Sequence, residues 1–225
     1  PAFTDGERDL LKGSSDFFGL NYYSATLCRS CADKREHLWK NVGGYAGDVG
    51  VMMAQDPAWE TTGNGWPVVP WGLRSMLLHI QERYAPCGGI YITECGCVLE
   101  PEAQIEQDRT EGALTPQPSS VASSEPEDPC ETIRDTERIR FLRAHFSAVH
   151  AAQELGADVR GFFVWSLLDN FEWLHGYGPR FGVVRVDFPT QRRTIKASGH
   201  WLKDVALRRG FNAPHRSEQY RGEPF

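Results

Sequence analysis

Apolar residues in this chain gather in short runs, separated by two stretches where they recur at helical spacing. Ile90, Tyr91 and Ile92 lie between a glycine pair and Thr93-Glu94. A β-branched and aromatic run this short, bounded by glycines, predicts a buried strand. Asp16-Phe-Phe-Gly-Leu-Asn-Tyr-Tyr-Ser24 and Gly161-Phe-Phe-Val-Trp-Ser166 predict two more. Leu73, Leu77, Ile80 and Tyr84 recur at three- and four-residue intervals, which predicts an amphipathic helix over 70–84. Pro86 and Gly88-Gly89 stop it. Ile139, Leu142, Phe146, Val149 and Ala152 form one stripe of a second helix over 133–155, ended by Gly156. A last helix is expected over 197–209, where Arg208-Arg209 suits the helix C-terminus. Strand, helix, strand in succession predicts parallel β/α units.

Other stretches lack such a period. Residues 25–64 carry glycines and scattered charge, and read as a long loop with little regular structure. Residues 99–131 are rich in Pro, Ser and Glu, a composition that cannot bury enough apolar surface to order itself. They are expected to be a disordered insertion. Residues 1–210 then make one α/β domain, and 211–225 a polar tail.

Composition narrows the partners. The chain has 225 residues, enough for a sizeable core. Its 24 basic and 30 acidic residues give a net charge of −6, which argues against nucleic acid or an anionic membrane. No run of 18 apolar residues predicts a membrane-spanning helix, and Pro1 to Gly13 lacks the form of a secretory signal. Six cysteines stand at 28, 31, 87, 95, 97 and 130. Cys28-x-x-Cys31 has zinc or redox spacing, but no second pair follows at zinc-site distance. Free thiols or an incidental disulfide are expected, with no metal and no cofactor.

Glu94 is the first candidate for chemistry. It falls where the central strand ends, and a carboxylate buried within a strand would be costly to desolvate. At the C-terminal mouth of a parallel barrel it can act as a catalyst. A structural Glu paired with a basic neighbour is the competing reading.

Two motifs favour catalysis. Ile-Tyr-Ile-Thr-Glu94-Cys-Gly96 and GFFVWSLLDNFEWLHGYGPRFGVVRVDF over 161–188 resemble the second half of a family 1 glycoside hydrolase, the β-glucosidase family. The resemblance runs from about Asp16 to about Leu207, with one insertion. It implies the C-terminal portion of a (β/α)8 TIM barrel, strands six to eight. It makes Glu94 the nucleophile of a retaining β-glycosidase and Tyr23 the phenol that orients it. Asn21, Trp165, Glu172, Trp173 and Phe181 would line the sugar pocket. Of these, Glu172 would accept bonds from two sugar hydroxyls far from the scissile bond. Trp66 would be a platform on the leaving-group side. Retention needs a second carboxyl group roughly 5–5.5 Å from the first, to protonate the departing oxygen. The family carries it in Thr-x-Asn-Glu-Pro. No Asn-Glu-Pro occurs here, so no acid/base residue is assigned within the chain. The implied partners are a β-glycoside and an N-terminal half of the barrel.

Two departures bear on this. Cys95 stands where the family has Asn. Relatives acting on 6-phosphorylated sugars carry Ser at the Glu172 position and a nearby Lys, so a carboxylate there points to unphosphorylated β-glucosides or β-galactosides. His175 reads as a surface residue. The alternative is a catalytically inactive, sugar-binding or receptor-type relative of the same fold.

Overall fold

The computed structural model describes residues 2–30, 51–99 and 133–212. In chain order these form α1 (Asp5–Leu11), β1 (Phe18–Asn21), β2 (Leu27–Ser30), β3 (Val51–Ala54), α2 (Pro70–Tyr84), β4 (Ile90–Cys95), α3 (Thr136–Glu154), β5 (Val159–Val164), β6 (Val184–Asp187), β7 (Arg192–Ile195) and α4 (Ala197–Arg208). β1, β4 and β5 make one parallel sheet with β4 in the centre, as the three apolar runs predict. The sheet is not closed into a barrel among the described residues. The other strands pair as two antiparallel hairpins, β2–β3 and β6–β7.

The core lies between the outer face of the sheet and the helices. Ile90 and Ile92 of β4 meet Leu73, Leu77 and Ile80 of α2 and Phe141, Leu142 and Val149 of α3. Each fully buried branched side chain here contributes roughly 1.5–3 kcal/mol. The opposite face is bare by comparison. Phe17 and Phe163 are each more than half exposed there, and Phe17 packs edge-on against Tyr91 at 5.1 Å.

Several expectations are corrected. The segment read as loop over 25–64 contains β2 and β3, the first of which is exposed throughout. Its pairing rests on backbone hydrogen bonds and leaves no burial period to read. Tyr84 does not complete the α2 stripe, being 60% exposed at the helix end. α1 has no apolar stripe to announce it, since none of its residues is buried, although Thr4 and Glu7 form a capping box at its start. The stripe of α3 is wider than its apolar positions, because Arg138 and His145 are fully buried with it. The insertion expected over 99–131 and the tail over 211–225 lie outside the described residues, apart from Leu99, Phe211 and Asn212. No helix among the described residues is long and apolar enough to cross a membrane.

Candidate functional site

The carboxyl ends of the three parallel strands deliver the site. The β1–β4 register shifts between Leu20 and Asn21, so Asn21 pairs with Glu94. Such irregularities re-aim side chains. Two consecutive β4 residues bond alternate residues of the β1 end. Thr93 Oγ1 donates to Asn21 Oδ1 at 2.6 Å, and Tyr23 Oη donates to Glu94 Oε2 at 2.6 Å. Burial, then the bond to Glu94, then the Glu94 and Glu172 charges push the Tyr23 phenol pKa upward. Tyr23 therefore stays protonated and donates.

Cys95 follows Glu94 but points the other way, fully buried in the core with Tyr22. Burial raises its thiol well above the ordinary value, with Cys97 adding to the shift. The Asn-to-Cys departure therefore lies on the core face and leaves the cavity wall unaltered. Gly96 carries the chain past β5, where a Cβ would sit 1.8 Å from the Trp165 carbonyl oxygen, so a side chain there is excluded.

Beyond β5 the chain supplies the opposite wall. The Trp165–Ser166 peptide is cis. Trp165 Nε1 donates to Glu172 Oε1 at 3.1 Å, and Glu172, at the start of the turn over Trp173–His175, is 93% buried. Burial raises the Glu172 pKa, bonds from Trp165 and Asn170 oppose the shift, and the Glu94 charge adds a smaller push upward. Phe181 reaches the same wall and meets Tyr23 and Trp66 at ring distances of 6.2 Å each. Trp66 meets Tyr23 at 5.5 Å.

A buried ionic frame holds these loops. Asp169 accepts the Gly182 and Val186 amides at 2.9 and 3.3 Å and faces Lys196 Nζ at 3.2 Å. Arg138 pairs with Asp135 at 3.0 Å and donates to the carbonyls of Cys97, Phe181 and Arg180. One guanidinium thus ties the end of β4 to the loop that carries Phe181. It satisfies carbonyl groups that water cannot reach.

The result is a cavity of about 400 Å³ lined by Tyr23, Asn64, Trp66, Glu94, Trp165, Glu172, Trp173, Leu174, His175 and Phe181. Of the residues singled out in the sequence, Tyr23, Glu94, Trp66, Trp165, Glu172, Trp173 and Phe181 come together here. Asn21 does not line it; its amide oxygen is held by Thr93. His175, read as surface, is exposed but also forms part of the wall. Asn64 and Leu174 were not singled out, and Asn64 has a local signal in the Gly-Asn-Gly turn before Trp66. Among the described residues no cluster could hold a metal ion. Cys28 and Cys87 are exposed free thiols, and Cys97 is buried; Cys31 and Cys130 lie outside the described residues.

A parallel β/α sheet with an acidic, indole-walled cavity at its carboxyl edge places the molecule among β/α proteins that carry their site at that edge. Sequence comparison narrows the class. The pattern of "Glycosyl hydrolase family 1" matches residues 1–112 and 119–211, and the chain belongs to that family. It is 35% identical over 212 residues to a 6-phospho-beta-galactosidase of Lacticaseibacillus rhamnosus, covering 91% of this chain and 40% of that protein. It is 34% identical over 210 residues to a 1,4-beta-D-glucan glucohydrolase of Thermotoga neapolitana, covering 93% and 38%. A family 1 β-glucosidase structure from Thermotoga maritima superposes with a TM-score of 0.63 at 33% identity, covering 88% of this chain and 35% of that one. The chain spans about two fifths of the length of these curated relatives.

Proposed function

We propose that the full-length protein carrying these residues is a retaining β-glycosidase of the β-glucosidase type, with Glu94 as its nucleophile. The observation that carries this is the Glu94 carboxylate at the carboxyl end of β4, held at 2.6 Å by the Tyr23 phenol inside the indole-walled cavity. In this reading Glu94 attacks the anomeric carbon and forms a glycosyl-enzyme ester, while the leaving oxygen takes a proton from a carboxylic acid. Water then attacks the ester, and the same acid, now a base, accepts its proton. That acid/base is assigned to an N-terminal half of the barrel, with β1, β4 and β5 as strands six, seven and eight. Glu172 takes two sugar hydroxyls, Trp173 a neighbouring one, and Trp165 lies beneath the ring.

The substrate is read as unphosphorylated. The cavity wall carries two carboxylates, Glu94 and Glu172, and no Lys or Arg among the described residues. A sugar phosphate dianion would meet like charge in a partly desolvated site, which costs several kcal/mol. Relatives named for both substrate classes exist, and the wall chemistry favours the neutral one.

The test is kinetic, on the full-length protein. Glu94→Gln removes the attacking charge with little change of shape, and turnover of an aryl β-glucoside should fall by several orders of magnitude. Azide should partly rescue Glu94→Gly, which leaves room for it, and should not rescue Glu94→Gln. Near-normal turnover in Glu94→Gln removes this residue from the mechanism. Tight sugar binding with no turnover in the wild type establishes the inactive, sugar-binding relative instead.

A further inference from the structure

We infer that Asn64 selects the leaving group, and that the part of the cavity beside Trp66 takes a hydroxylated one, a second sugar, in preference to an alkyl or purely aromatic group. This rests on reading the cavity as a β-glycosidase pocket.

The segment from Thr61 to Pro67 is fixed in several ways. Thr61 and Pro67 form an antiparallel bridge, and Thr62 N donates to Trp66 O at 2.8 Å. Gly65 N closes the turn on Thr62 O at 2.9 Å, with Gly65 at φ +78°, a conformation that favours glycine. Gly63 N donates at 2.8 Å to the carbonyl of Val98, a fully buried residue four positions beyond Glu94. Asn64 is therefore held in a set place relative to the nucleophile.

The amide of Asn64 is half engaged. Its Oδ1 lies 2.5 Å from Thr62 Oγ1, which also accepts from Trp66 N at 3.1 Å. One end of the amide is engaged inside the turn, and Asn64 lines the cavity. With Nδ2 turned to the cavity the residue donates; with the amide flipped it accepts. A sugar hydroxyl serves either way because it does both. An apolar leaving group does neither, and leaves a half-buried amide group without a partner.

The neighbours say where this amide acts. Glu172 is bonded to Trp165 on one wall, whereas Trp66 packs on Tyr23, the phenol that holds Glu94. A sugar ring anchored by Glu172, with its anomeric carbon at Glu94, sends its leaving group past Glu94 toward Trp66 and Asn64. Trp66 is 41% exposed and offers an indole face to sugar C–H bonds. Asn64 adds the polar contact that separates a sugar from an apolar ring of similar size.

The experiment measures kcat/KM of the full-length protein for a β-1,4-linked glucose disaccharide and for an aryl β-glucoside. The disaccharide-to-aryl ratio should fall about three- to tenfold in Asn64→Leu, which keeps the size and removes the amide. Asn64→Ala, which adds no apolar branch to the turn, should lower the ratio in the same direction. A ratio that stays within about twofold of wild type in both variants overturns the inference and leaves the glycosidase reading standing. Failure of the wild type to cleave either substrate overturns the glycosidase reading, and this inference with it.

Discussion

Replacing His145 should remove a defined part of the protein's acid sensitivity. His145 is fully buried in α3, stacked on Phe141 at 4.0 Å and near Tyr22 at 6.0 Å. Its Nδ1 lies 2.8 Å from the Phe141 carbonyl, so that nitrogen carries the proton and donates. The buried Nε2 has no hydrogen-bond partner, so a second proton would be placed where nothing accepts it. Burial lowers its pKa from 6.5 to about 4, against the opposing bond to Phe141. The folded value lies below the unfolded one, so the folded state binds fewer protons across this range. The contribution to stability is fully present above about pH 6.5 and is lost as pH falls toward 4. Between pH 7.5 and pH 5 the loss is about 2 kcal/mol, because below about pH 6.5 only the unfolded imidazole gains its proton, and each further pH unit then costs about 1.4 kcal/mol. Urea unfolding of full-length wild type and His145→Phe at these two pH values isolates it. The stability gap between the two should shift by about 2 kcal/mol in favour of the variant at pH 5, because packing losses common to both pH values cancel. A gap that does not move with pH would refute the buried, neutral assignment.

Further outcomes follow from the frame around the cavity. Asp169→Ala removes the carboxylate that faces Lys196 and accepts two backbone amides, and should lower the unfolding free energy by about 3–5 kcal/mol; a loss under about 1 kcal/mol in urea titration contradicts the role given to it. Glu172→Ser removes one of the two wall carboxylates, and should raise the kcat/KM ratio of 6-phospho- to unphosphorylated aryl glucoside by about tenfold or more; an unchanged ratio separates Glu172 from phosphate exclusion. Residues 1–225 expressed alone should be poorly soluble or molten and hydrolyse no β-glucoside above background, because the main sheet is open among the described residues and Phe17 and Phe163 are exposed on its inner face. Sedimentation and near-ultraviolet dichroism check the folding, and a cooperatively folded fragment with turnover would place a proton donor within this chain.

The three parallel strands were legible because each is a short β-branched or aromatic run between turn residues, and the two long helices because Leu73, Leu77 and Ile80, or Leu142 and Val149, repeat at their period. The β2–β3 hairpin was not, since β2 buries nothing and so carries no alternation. In the site, Glu94 was legible as an acid at the end of a strand. Its bond to Tyr23 depends on a register shift that no residue type announces. Glu172 and Trp173 stood out through the family motif, because an acid between aromatics has no periodic signature. Arg138 and His145 were not singled out, because a polar residue on a helix carries no periodic signal of burial. Their burial is set by carbonyl groups and aromatic rings brought in from elsewhere in the chain.

Covalent trapping tests the central claim most directly. Full-length protein is incubated with a 2-deoxy-2-fluoro-β-glucoside bearing a good leaving group, which forms the glycosyl ester and slows its hydrolysis. Peptide mass spectrometry then locates the adduct. One fluorosugar should appear on the peptide containing Glu94 and disappear in Glu94→Gln. An adduct on any other residue, or turnover of the aryl β-glucoside with no adduct at all, contradicts the assignment of Glu94 as the nucleophile.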